Sequence, residues 1–185
     1  MENGKLRKEN VENMAKYIKN LKIIVLLTVL VLCSVVLFSC KTEIAININL
    51  NDLAEVIAGK IDLGDTIEYS ADQIKTNYGI STENAVQIVV LKKLDVSNIS
   101  NGEALILVEA IDKDKAIEIE NNLKEYKTYK LNELTKYDIN PDNENQYYIV
   151  EGADIIVNQQ YVFWAVYPQT KEINDIISDY IKNSK

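Results

Sequence analysis

Histidine is absent from the 185 residues, and with it go the commonest general base and the commonest zinc ligand. Ser-His-Asp catalysis, Cys-His catalysis and His-based metal sites are excluded. Cysteine is nearly absent too. Cys33 and Cys40 both lie in or beside an apolar N-terminal run, so the rest of the chain has no disulfide, no thiolate nucleophile and no Cys metal ligand. Six glycines and two prolines leave no long flexible linker, and no P-loop or Gly-rich phosphate cradle is present. An enzyme built on this chain would have to use carboxylate, lysine or tyrosine chemistry. Acidic side chains are so plentiful that choosing two of them as a catalytic pair would be arbitrary.

Charge is divided unevenly. In the first 39 residues Lys5, Arg7, Lys8, Lys16, Lys19 and Lys22 oppose Glu2, Glu9 and Glu12, a balance of +3. The whole chain carries −8, so the remainder carries −11. A domain this acidic is repelled by phosphate backbones and anionic membrane surfaces, which argues against nucleic-acid binding. Its charge serves first as a solvated surface that keeps it soluble.

The apolar run IIVLLTVLVLCSVVLF extends from Ile23 to Phe38, follows the basic segment and carries no charge. It has the length of a signal-peptide core and is short for a membrane span, which takes ~20 apolar residues. The positive flank lies on the side expected to stay cytoplasmic. Leu37-Phe38-Ser39-Cys40 resembles the lipobox of bacterial prolipoproteins. The resemblance implies cleavage before Cys40, a diacylglyceryl group on its thiol, and a two-chain anchor sufficient for stable membrane attachment. An uncleaved signal anchor with Cys40 at the membrane edge is the alternative. Both place the rest of the chain outside the cytoplasmic membrane.

Three segments follow: a signal peptide over 1–39, a short membrane-proximal tether over 40–68, and a globular domain over 69–185. Ile44, Ile46, Ile48 and Leu50 alternate with polar or small residues, the period of a short strand. Asn51 reads as the cap of a helix bearing Leu53, Val56 and Ile57, and Ser70 as the cap of a second helix stopped by Gly79. Val86 to Leu94 and Ala104 to Ile111 read as strands around a turn at Asn98 to Gly102. Asp112 caps a long helix with Ala116, Ile119, Leu123 and Tyr126 on one face. Tyr147 to Val150, Ala153 to Val157 and Tyr161 to Tyr167 read as strands, and a last amphipathic helix starts at Thr170. The expected fold is α+β, an antiparallel sheet built from two ββα units with helices on one face, preceded by an N-terminal signal or anchor helix.

From about Tyr69 to Ile181 the order of features resembles the family known as domain of unknown function 4358, whose members look like Firmicutes lipoproteins. The resemblance rests on Asn77-Tyr78-Gly79-Ile80, on Glu103-Ala104-Leu105-Ile106-Leu107 running into Asp112, and on the hairpin Ile155 to Val166. It implies a lipoprotein and no activity.

Two constellations stand out as candidate sites. Asp138, Asn140 and Asp142 occupy the first, third and fifth positions of a conceivable calcium loop. Asn143 and Ile149 fill the positions where an EF-hand needs Gly and Glu, so a polar turn around Pro141 is the better reading and no metal is expected. In the late aromatic cluster, Tyr161 and Trp164 lie on opposite faces of one strand, so one of the two faces would present aromatics to a glycan or peptide. Packing under a helix is the competing reading. The sequence thus predicts a non-enzymatic, lipid-anchored domain at the outer face of the cytoplasmic membrane, with no cofactor, acting through contacts with an envelope protein or cell-wall partner. A ligand-binding or sensing lipoprotein is the second reading and a carboxylate-dependent envelope hydrolase the third.

Overall fold

The computed structural model describes residues 46–94, 103–136 and 141–184. The signal segment, the lipobox residues Leu37, Phe38 and Ser39, Cys40, and the turn expected at Asn98 to Gly102 lie outside them. So do Asp138 and Asn140. Among the described residues no helix is long and apolar enough to cross a membrane.

The helices are α1 (Leu50–Ala58), α2 (Ala71–Tyr78), α3 (Lys113–Lys136), α4 (Pro141–Gly152) and α5 (Thr170–Asn183). The strands are β1 (Thr66–Glu68), β2 (Ala85–Lys93), β3 (Ala104–Ala110), β4 (Ile155–Asn158) and β5 (Tyr161–Val166). The strands form one antiparallel sheet in the order β1-β2-β3-β5-β4. The fold is therefore α+β with an antiparallel sheet.

Helices cover both faces of that sheet, not one. On the first face Val89, Leu105, Leu107, Tyr161, Phe163 and Ala165 pack with Leu50, Leu53 and Ile57 of α1 and Ile173, Ile177 and Ile181 of α5. On the second, Val90, Ile106, Val108, Val162, Trp164 and Val166 meet Ile74 and Tyr78 of α2, Ala116, Ile119 and Leu123 of α3, and Val150 of α4. The cause is in the central strands: ALILVEA and YVFWAV are apolar on successive positions, so each face needs cover. Each fully buried large side chain contributes roughly 1.5–3 kcal/mol of transfer free energy.

The compact unit runs from Ile46 to Lys185, so residues 46–68 belong to the domain and do not form a separate tether. Ile46 and Ile48 are buried while Asn47 and Asn49 are exposed, the period-2 alternation expected of a strand. No ladder forms there. The Ile48 N–H donates to the Tyr161 hydroxyl at 3.1 Å and the Leu50 N–H to Gln87 Oε1 at 2.9 Å. Side chains of the sheet satisfy the backbone groups a partner strand would otherwise take. Helix α1 is capped by Asn49, whose side chain accepts from the Asn51 and Asp52 N–H groups, two residues before the expected cap.

Tyr147 to Val150 is helical, not a strand, and lies within α4. Pro141 stands at its first position, where a missing N–H costs nothing. Helix geometry from Pro141 onward also removes the irregular backbone that a calcium loop starting at Asp138 would need. Elsewhere local signals act as read. Ser70 and Gln73 form a reciprocal capping box on α2, and Gly79 ends it in the left-handed region at φ 68°. Asp112 Oδ1 accepts the Lys115 N–H at 2.7 Å at the start of α3.

Candidate functional site

Tyr161 and Trp164, the aromatic pair expected to offer a binding patch, are both buried, at 0% and 1% exposure. Their strand is covered on both faces, so neither is free to touch a ligand. Each has a structural partner instead. The Trp164 indole N–H donates to the Ala153 carbonyl at 3.2 Å, fastening the end of α4 to β5. The Tyr161 ring stacks on Phe163 at 6.1 Å, and its hydroxyl lies 3.1 Å from Glu109 Oε1 and 3.3 Å from the Ile46 carbonyl, as well as accepting from Ile48. Gln87, Glu109 and Tyr161 are register neighbours across β2, β3 and β5. They form a polar row that receives the incoming chain, a role in stability, not in recognition.

Aromatic side chains that do reach solvent, Tyr148 on α4 and Tyr129 on α3, lie on the helices that cover the Trp164 face of the sheet. Tyr129, on α3, is 51% exposed. It heads a chain of tyrosines. Its ring stands 6.4 Å from Tyr126, which is 4.7 Å from Tyr78, which is 6.1 Å from Tyr69. Trp164 closes the row from below, edge-on to Tyr126 at 6.0 Å. Helical spacing puts Tyr126 and Tyr129 on adjoining positions of α3, and the left-handed turn at Gly79 brings the end of α2 alongside. Asn122 holds that approach, donating from Nδ2 to the Gly79 carbonyl at 2.9 Å.

Burial pushes the Tyr78 and Tyr126 hydroxyls well above the ordinary tyrosine range, and the Tyr78 hydroxyl donates to that of Tyr126. Tyr129 donates to the Glu133 carboxylate one turn on, which holds that carboxyl below its usual range. Beside this row lies an open groove of about 470 Å³ lined by Asn77, Tyr78, Asn122, Glu125, Tyr126 and Tyr129.

A second groove of about 540 Å³ lies between α4 and the start of α5, lined by Tyr148, Ile149, Asp154, Tyr167, Thr170 and Lys171 among others. The Tyr167 hydroxyl is buried without a hydrogen-bond partner in the protein. Burial, then the charge of Glu103, raise its pKa.

Glu103 is the buried charged residue among those described, at 4% exposure. Its carboxylate takes the Lys93 ammonium on one oxygen and Gln146 Nε2 on the other at 3.2 Å. Both oxygens are thus engaged by donors, the arrangement of a structural charge pair more than of a proton-transfer group. No group of three or more Asp, Glu, His or Cys suited to a metal occurs among the described residues.

The chain matches no family model, no curated protein and no solved structure. The exposed tyrosine groove was missed in the sequence because Tyr69, Tyr78, Tyr126 and Tyr129 come from three separate segments. Tyr126 stood out as a member of the apolar face of α3 and Tyr78 as part of a motif, with nothing in the sequence to join them. Asn77-Tyr78-Gly79-Ile80 was visible as a motif, and the structure gives it a physical role as the helix stop that docks α2 on α3.

Proposed function

We propose that this protein is a lipoprotein anchored through Cys40 at the outer face of the cytoplasmic membrane, with a non-enzymatic domain that works by contact with a cell-envelope partner. The observation that carries it is the leader. A basic segment, a charge-free run from Ile23 to Phe38 and the sequence Leu37-Phe38-Ser39-Cys40 stand in the order that lipoprotein export requires. The place where the compact unit begins adds support. Six residue steps lead from Cys40 to Ile46, and an extended chain of that length reaches at most about 22 Å. An anchor so close confines the domain to envelope components near the membrane.

In this reading 1–39 is a signal peptide removed on maturation. The domain's chain then runs strand–strand–helix twice, as β2-β3-α3 and β4-β5-α5, with α4 between. Kinship with the family known as domain of unknown function 4358 is part of the proposal. It rests on Asn77 to Ile80 and on Glu103 to Leu107. A ligand-binding lipoprotein is the second reading, and the two open grooves favour it.

Protease added to protoplasts tests the compartment. The domain should be digested without lysis, whereas a cytoplasmic control protein survives. Protection of the domain until the cells are lysed would overturn the proposal.

A further inference from the structure

We infer that the groove between α2 and α3 binds a neutral oligosaccharide. The groove's volume of about 470 Å³ falls within the ~300–1,000 Å³ typical of small-ligand sites. Its lining includes no lysine or arginine, and Glu125 sits at its wall. With −11 on the chain beyond the leader, a phosphate or other anion would meet repulsion and no counter-charge.

A quaternary ammonium would suit the acidity, since cations are held over aromatic faces. It needs rings set apart to admit it. Here the lining rings stand too close, with Tyr78 and Tyr126 edge to face at 4.7 Å and Tyr126 and Tyr129 at 6.4 Å. They leave no cage between them, and with Tyr78 buried it is Tyr129, beside the half-buried Tyr126, that offers the groove an aromatic surface.

What remains is a ligand with apolar C–H faces and a rim of neutral hydroxyls, which describes a sugar ring. Tyr129, half-exposed and tied to Glu133 through its hydroxyl, presents an aromatic surface already fixed in place. Fixing it beforehand reduces the ordering cost of binding. Around it stand planar polar groups: the exposed Asn77, the Glu125 carboxylate, and Asn122. The Asn122 amide nitrogen is committed to Gly79, which leaves its carbonyl oxygen to accept from a sugar hydroxyl. An aromatic platform edged by amides and a carboxylate matches the amphipathic outline of a saccharide on both counts.

This goes beyond the anchor reading and stands without it, because binding is a property of the domain. Loss of lipidation and loss of sugar binding are separate results.

Trp164 is the one tryptophan of the chain and stands 6.0 Å from Tyr126, so its fluorescence reports on the groove. Full-length protein in detergent is titrated with tri-N-acetylchitotriose, with choline chloride and inorganic phosphate run in parallel. The expected result is a saturable change with the trisaccharide, half-complete at or below about 1 mM, and none with choline or phosphate. Tyr129→Ala and Asn77→Ala, both at exposed positions, should each weaken binding at least about tenfold while leaving the melting temperature unchanged. The inference is overturned by no saturable change with the trisaccharide, by a response to choline or phosphate in its place, or by unaltered binding in both variants.

Discussion

The hydroxyl of Tyr161 accepts the backbone N–H of Ile48 at 3.1 Å, joining residues 113 apart in the chain. The same hydroxyl lies 3.1 Å from Glu109 Oε1, to which it can donate in turn. One phenol on β5 therefore fastens the first described segment of the domain to the middle of its sheet.

Tyr161→Phe keeps the ring and its stack on Phe163 but strands the Ile48 N–H. A buried donor left unmade costs ~1–3 kcal/mol. Urea unfolding should show that loss with an unchanged slope, and amide exchange at Ile48 should quicken more than exchange in β3. A variant as stable as the wild type would mean that the row of Gln87, Glu109 and Tyr161 does not hold the entry segment.

Glu103 and Lys93 make an unequal pair. Glu103 is buried, whereas the Lys93 side chain is 34% exposed. Lys93→Met removes the ammonium paired with the buried carboxylate, with Lys92 Nζ still held nearby on the Glu103 carbonyl, and should cost up to about 3 kcal/mol. Glu103→Gln leaves an ammonium that can turn toward water, and should cost about 1 kcal/mol. Denaturant midpoints of the two variants decide the point, and equal losses would contradict this account of the pair.

Alkaline pH should destabilise the domain. Burial raises the hydroxyls of Tyr78, Tyr126 and Tyr167 above the ordinary value. Below about pH 10 these tyrosines are neutral in both folded and unfolded chains, and their contribution is fully present. Above it the unfolded chain ionises while the folded one keeps its protons, so stability is lost as pH climbs toward the folded values. Urea midpoints should hold level to about pH 9 and fall by pH 11, with a shallower fall in Tyr78→Phe. A flat profile across that range would show that the cluster is solvated.

What could be read from the sequence was mostly local. Ser70, Gly79 and Asp112 act as the caps their chemistry predicts, and α5 follows from the spacing of Ile173, Ile177 and Ile181. The alternation at Ile46 and Ile48 gave burial correctly but not pairing, because a period of two fixes which residues face inward and says nothing about who receives the N–H groups. Tyr147 to Val150 misled through its aromatic and β-branched content. Four residues are too few to separate a strand from a buried turn of helix, and the start at Pro141 was the better signal. The second helical layer was not read from the sequence, which led to an expectation of helices on one face, although the successive apolar positions of ALILVEA and YVFWAV need cover on both. The tyrosine groove was not, since it depends on how three distant segments pack.

Labelled-palmitate incorporation decides whether Cys40 is the lipid attachment point. Cells expressing the wild type and Cys40→Ala are grown with the label and the protein is recovered. Label in the wild type that disappears in the variant is the predicted result, and it would set the mature N-terminus at Cys40. No label in either, or equal label in both, would contradict the lipoprotein account and leave the segment from Ile23 to Phe38 as an uncleaved signal anchor.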